Sequence, residues 1–351
     1  MEFGIQFFPD VDPEDQSGAD YWAEALHLVG LCDELGYTSV RTVEHYFQPY
    51  GGYSPSPIVF LAAAAMKTAK AKMITGALLP VFNHPLKIAG ELGMLDAIAG
   101  GRLEVGFGRA FLPHEFSHFG VSLDESRARF EEGMEQVRLL LEKENVTSQG
   151  RFHSFENVTS LPRPTQKPRP PFWVASLASP ESFIKAGRAG YGMMAIPLSG
   201  GQMDDLLGQY REAWKSAGHS GQGQVMLAFH MFCHQDSAKA VEIARDPLNR
   251  YLKTLGQAAS GWLQGASSTD YPGYQRRIEG LAKETFETQM ERGAAWVGNP
   301  REITEQIERY QEAVGGFDSA SLQVNFNTIS VEDAEESMRL FAAEVMPNFQ
   351  S

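Results

Sequence analysis

Glu44, His45, Tyr46 and Phe47 follow directly on Ser39 to Val43, a run that reads as a β-strand. Imidazole exchanges protons near neutral pH and an adjacent carboxylate can orient it, so His45 with Glu44 suits general acid/base catalysis. A structural histidine satisfied by its own hydrogen bonds would leave the same signature. Arg109 stands just past Leu103 to Phe107, a second strand flanked by turn residues. There its guanidinium can clamp a phosphate or close a salt bridge. The Gly106-Phe-Gly108 pair beside it is no dinucleotide fingerprint, because the third glycine and the helix start are missing at the required spacing.

Two further stretches could meet a ligand through their backbone. The chain from Trp173 reads as a strand running into a helix, with Ser179 as N-cap and Pro180 at the first helical position. The amides of Ala178 and Ser179 at such a start attract anions, as they would at any capped helix. Thr75-Gly76-Ala77-Leu-Leu-Pro80 ends another strand with small residues, which admits either a flat ligand close to the chain or a tightly packed helix. No HExxH zinc motif, paired CxxC, GxSxG elbow or Walker loop occurs, and His84, His114 and His118 are scattered, so no metal site is expected.

Bringing these residues to one place demands a repeating architecture. Eight strand-like runs occur, at Phe3 to Phe8, Ser39 to Val43, Met73 to Leu79, Leu103 to Phe107, Phe172 to Val174, Met193 to Ile196, Val225 to Phe232 and Ser321 to Val324. Helical periodicity separates them, over Trp22 to Leu35, Leu61 to Met66, Leu86 to Ile98 and Asp124 to Leu141, and from starts near Pro180, Met203, Ala238 and Pro300. Strands alternating with helices imply a parallel sheet. Eight such units close into a (β/α)8 TIM barrel, an α/β fold with its site at the carboxyl ends of the strands. One domain is expected over 1–351, with an irregular excursion about 145–171 that holds five prolines. A second insertion, about 260–292, is rich in Gly, Ser, Gln and charge and reads as a mobile loop or lid, or as a solvated insertion.

Composition narrows the partners. Hydrophobic residues make up 43% and charged residues 21% of the chain, the balance of an ordinary globular protein. A net charge of -14 opposes attraction to nucleic acid or to an anionic membrane. Cys32 and Cys233 alone form no disulfide framework and fit a reducing cytoplasm. The opening Met1-Glu-Phe-Gly-Ile lacks the basic start and apolar stretch of a signal peptide, and no segment approaches a membrane span in length. A soluble, unexported protein is therefore expected.

Several signatures occur in collinear order: Val43-Glu-His-Tyr-Phe47, His84-Pro85, Leu95-Asp96 through Gly101-Arg102, Phe119-Gly120 with Ser126-Arg127, and Met338-Arg-Leu-Phe341 through Val345-Met-Pro347. With them the chain resembles the bacterial luciferase-like flavin monooxygenases, the luciferase α subunit in particular. The resemblance implies that His45 is the catalytic histidine, with Glu44 orienting it or lining the site. It makes Arg109 the arginine on the flavin phosphate, helped by the Ala178 and Ser179 amides, and Gly76-Ala77 a non-prolyl cis peptide beneath the flavin ring. It also implies reduced FMN as cofactor, O2 as co-substrate, a peroxyflavin as oxidant, a separate flavin reductase, and a homodimer paired through early helices.

Departures from the luciferase pattern are specific. Gly108 replaces its reactive cysteine, Ser176, Leu177 and Pro180 replace Glu, Ser and Thr of its phosphate loop, Pro197 replaces a tryptophan, and Tyr46 replaces a second histidine. These changes argue against light emission while leaving flavin binding in place. Phe7, Phe8, Tyr46, Phe47, Tyr50, Tyr53, Phe111 and Phe116 fall near strand ends and suggest an apolar or aromatic substrate, core packing being the other account. Rival functions are a deazaflavin (F420)-dependent dehydrogenase or reductase, a non-catalytic flavin-binding protein, and a supporting role like that of the luciferase β chain.

Overall fold

The computed structural model describes residues 1–197 and 202–349. Its centre is eight parallel strands: β1 Glu2–Phe7, β2 Ser39–Thr42, β3 Lys72–Leu78, β4 Leu103–Gly108, β5 Phe172–Ala175, β6 Gly192–Ala195, β7 Val225–Cys233 and β8 Ser319–Gln323. They are hydrogen-bonded in the order β7-β8-β1-β2-β3-β4-β5-β6. Pairing of β6 with β7, Met193 opposite Val225, closes the sheet into a TIM barrel. Each expected barrel strand is present.

The strands are buried along almost their whole length, as parallel strands are when helices cover one face and side chains fill the other. Alternate residues divide the work. Phe3, Ile5, Val40, Met73, Val105, Ala320 and Leu322 join the large core between barrel and helices. Inside the barrel, Ile74, Trp173, Met194 and Met226 form a separate apolar cluster. Toward the carboxyl ends the interior turns polar: Arg41 Nη1 donates to Gln6 Oε1 at 2.9 Å, and Gln6 Nε2 donates to Gln323 Oε1 at 3.3 Å. Among the described residues no helix is long and apolar enough to cross a membrane.

Four stretches carry structure beyond the expected elements. Within 145–171, Val146–Gln149 and Ser154–Val158 pair as an antiparallel hairpin. Only Val146 and Phe155 are buried in it, so too few apolar positions recur to reveal it. A ninth strand of the main sheet, Ala295–Gly298, pairs with His230–Cys233 while β8 pairs with Met226–His230, so the long β7 serves both. Ala295–Gly298 is buried throughout, yet it lies between two helices and outside the eight strand–helix units of the expected barrel. The stretch 260–292 is helical, with a 3-10 turn Ser260–Trp262 and helices Tyr274–Leu281 and Phe286–Glu291. Its polar residues are the outer faces; Trp262, Tyr271, Tyr274, Ile278 and Phe286 anchor it and are buried. Finally, a short helix Pro113–His118 follows β4 and lies over the rim.

Candidate active site

The turn after β2 sets His45 at the carboxyl end of the barrel, its ring 5.5, 5.3 and 6.2 Å from the rings of Phe8, Tyr50 and Phe111. Gly51 permits this packing, since its φ is +77° and a Cβ there would fall 2.7 Å from His45 Cβ. His45 Nδ1 lies 3.0 Å from Glu115 Oε1. The same oxygen accepts the Tyr46 backbone N–H at 3.0 Å, so it acts as the acceptor and Nδ1 carries the proton. Nε2 is then the ring nitrogen left for the cavity His45 lines, with a lone pair free to take a proton. Glu115 itself is wholly buried, and its second oxygen has no hydrogen-bond partner among the described residues.

Orientation of His45 therefore falls to Glu115, and not to Glu44. Neighbours on an extended chain project to opposite sides, so adjacency in sequence kept the two side chains apart. Glu44 instead accepts from Tyr46 Oη at 2.5 Å, Asn83 Nδ2 at 2.7 Å and the Leu79 N–H at 3.0 Å, tying the β2 turn to the chain beyond β3. Burial pushes its carboxyl up to about 7 against the pull of those three donors. It does line the same cavity as His45. Glu115 escaped notice because it lies 70 residues from its partner; a proline-started helix just past Arg109 was the one available signal.

Backbone forms another part of the cavity wall. The Gly76-Ala77 peptide is cis, and Arg41 Nη2 donates to the Gly76 carbonyl at 3.1 Å. A Cβ on Gly76 would fall 1.8 Å from Arg41 Nε, and one on Gly108 would fall 3.2 Å from Ala77 Cβ. The two glycines thus make room for the Arg41 and Ala77 side chains against the backbone. Arg41 is buried without a carboxylate partner among the described residues, and burial brings its guanidinium down to about 10.

Arg109 enters from the end of β4. Its guanidinium stacks 4.3 Å above the Tyr271 ring, and Nη1 is buried with no hydrogen-bond partner among the described residues. Arg127 and Lys185, which sequence reasoning missed, share a neighbouring cavity with Arg109 and Ser182. Both are already paired, Arg127 to Glu181 at 2.6 Å and Lys185 to Glu181 at 2.8 Å and Glu131 at 2.6 Å. Of these three cations, Arg109 is the one without an ion pair among the described residues.

His45, Glu44, Gly76, Ala77, Arg109 and Ser179 all line one cavity. Ala178 does not; it lines a smaller adjoining one. The Ser179 N–H is already donated to Ser176 Oγ at 3.3 Å. Arg109 and Ser182 line the cavity at this helix start, where the Ser179 amide is engaged. Among the described residues no cluster of three His, Cys, Asp or Glu could hold a metal ion.

Comparison with known proteins gives this arrangement its setting. Residues 1–316 match the family described as luciferase-like monooxygenase. Over the full length of both chains, the protein is 41% identical to monooxygenase RslO1 of Streptomyces bottropensis, with a TM-score of 0.88. It is 26% identical to the oxygenase component of the flavin-dependent trigonelline monooxygenase of Acinetobacter baylyi, over 99% of this chain and 96% of that one. The oxygenating constituent of 3,6-diketocamphane monooxygenase from Pseudomonas putida, solved with FMN, shares the fold with a TM-score of 0.82 and 21% identity over 100% of this chain and 99% of that one. Shorter matches reach the uncharacterized protein y4wF of Sinorhizobium fredii, 36% identical over 50% of this chain and 51% of that one. Another is the F420-dependent glucose-6-phosphate dehydrogenase of Kineococcus radiotolerans, 33% identical over 61% of this chain and 65% of that one. The chain belongs to the luciferase-like monooxygenase family.

Proposed function

We propose that the protein is the oxygenase of a two-component system: it takes reduced FMN from a separate flavin reductase and, with O2, inserts one oxygen atom into a small apolar or aromatic substrate, the other leaving as water. The observation that carries this is one cavity joining Arg109, whose buried Nη1 has no hydrogen-bond partner among the described residues, to the glycine backbone at Gly76 and Gly108 and to the His45–Glu115 pair. These residues fit FMN. Arg109 and Ser182 would hold its phosphate, and Gly76, Ala77 and Gly108 would face its ring system, where added Cβ atoms would crowd the wall. Reduced flavin bound there supplies two electrons and the activation of O2.

The chain's own part is to bind, orient, exclude water and move a proton. His45 Nε2 accepts a proton at the cavity and returns it, and the Glu115 carboxylate stabilises the imidazolium formed in between. Phe8, Tyr50, Phe111, Leu177 and Ile196 supply an apolar wall for the substrate. The relative named as the oxygenase component of a flavin-dependent monooxygenase, matched over nearly its whole length, supports this reading over the shorter F420-dependent match.

Anaerobic titration with reduced FMN, followed by oxygenated buffer and a panel of aromatic ketones and aldehydes, tests it. Saturable binding and transfer of isotopically labelled oxygen to an organic product are expected. Hydride transfer from reduced F420 without oxygen uptake would replace the proposal with the dehydrogenase reading. The proposal extends to a homodimer whose contact involves the adjacent helices Pro57–Ala65 and Pro85–Ile98. Val59 and Met94 are exposed on them, and Met66 just beyond the first, as apolar side chains are at protein contacts. A monomer by light scattering would remove that part.

A further inference from the structure

Beside the cavity that holds His45 lies a smaller one of about 40 Å3, walled by Phe111, Leu177, Ile196, Leu255 and Ile278. Phe111, Leu177, Ile196 and Tyr274 line both cavities, so the two adjoin. Arg277, on the helix Tyr274–Leu281, is the one charged residue lining the smaller space. Its side chain makes no ion pair and no hydrogen bond among the described residues; its guanidinium carbon sits 5.6 Å from the centre of the Tyr274 ring. Arg292 of the same insertion is paired with Glu284, and Arg127 is paired with Glu181. Arg277 is half-buried, and neither salt bridging nor capping accounts for its position.

A guanidinium presents five donors in a planar fork that matches a carboxylate, and an apolar surround strengthens that attraction. We infer that Arg277 selects the substrate: the site takes a molecule with an apolar or aromatic body and an anionic end, a carboxylate or an acidic phenol. The body lies against the shared wall of Phe111, Leu177 and Ile196, and the anion meets Arg277. This rests on the proposed function for the place where chemistry occurs. Flavin phosphate is the other source of an anion, and the experiment separates the two.

Wild type and Arg277→Met, which keeps an apolar stem and loses the charge, are titrated with FMN, and then with 2-naphthoate and its neutral methyl ester by calorimetry, both with and without FMN. Wild type should bind the naphthoate about tenfold more tightly than the ester, the value of a charge-assisted hydrogen bond. Arg277→Met should bind the two alike with unchanged FMN affinity and melting temperature, and Arg277→Lys should keep part of the preference. Equal binding of the two probes by wild type, binding of neither, or an undiminished preference in Arg277→Met overturns the inference. Loss of FMN affinity in Arg277→Met with the naphthoate preference intact gives the anion to flavin phosphate and overturns it as well. If wild type binds no FMN, the proposed function falls, while the comparison of naphthoate with ester in the unloaded protein still decides this inference.

Discussion

Glu115 Oε1 receives two donors, His45 Nδ1 and the Tyr46 N–H, in a place with no access to water. A carboxylate so held fixes the tautomer of the ring and stabilises it once protonated. Glu115→Gln keeps the shape and one acceptor while removing the charge. Turnover with reduced FMN should fall about 100-fold, against the 10²- to 10⁴-fold general acid/base range expected of His45→Ala. The double variant should be no slower than His45→Ala alone, because the two residues act as a unit. Effects that multiply, or a parallel loss of FMN affinity, would show that Glu115 supports the fold rather than the ring. At this scale the sequence exposed His45 and Arg109, since each directly follows a legible strand. It concealed Glu115 and Arg277, whose meaning depends on which distant residue, or absence of one, lies beside them.

Strands of a covered parallel sheet announce themselves as apolar runs, which is why all eight barrel strands were legible; Ala295–Gly298 is as apolar and as short as Phe172–Ala175, but it lies outside the eight strand–helix units of a barrel. The insertion 260–292 misled in a different way: its composition is polar, yet a few aromatic anchors hold it down. Trp262 is fully buried, its Nε1 donates to the Phe111 carbonyl at 2.8 Å, and its ring lies 5.1 Å from Tyr271, which in turn stacks on Arg109. Trp262→Ala should cost about 3–5 kcal/mol of packing, felt mainly where the insertion docks. The expected result is weaker FMN binding and new protease cuts within 260–292, with the barrel's far-UV circular dichroism retained. A wild-type cleavage pattern would show that the insertion docks without this anchor.

Closing a barrel requires its first and last strands to meet, and here Asp10, three residues past β1, and Asn327, four past β8, are joined across 317 positions. Asp10 Oδ1 accepts the Asn327 N–H at 2.9 Å, and the Asp10 carbonyl accepts from Asn327 Nδ2 at 2.8 Å. Its other carboxyl oxygen is buried without a hydrogen-bond partner among the described residues, and burial pushes the group up to about 8 from the 3.8 of an exposed aspartate. The folded protein therefore keeps this proton to about pH 8 while the unfolded chain releases it near 3.8. Between those values the folded state binds more protons, so stability is greatest at the acid end of the window and falls as pH rises. Glu44, pushed up to about 7, acts in the same direction up to that value, which leaves the range above neutrality to Asp10. Wild type should lose melting temperature from about pH 7 to about pH 8.5. Asp10→Asn preserves the acceptor for Asn327 and cannot ionise, so its melting temperature should stay flat over that range and exceed that of wild type at the alkaline end. A variant that declines as steeply as wild type would show that some other buried group titrates, and that the barrel's seam is held without help from a protonated Asp10.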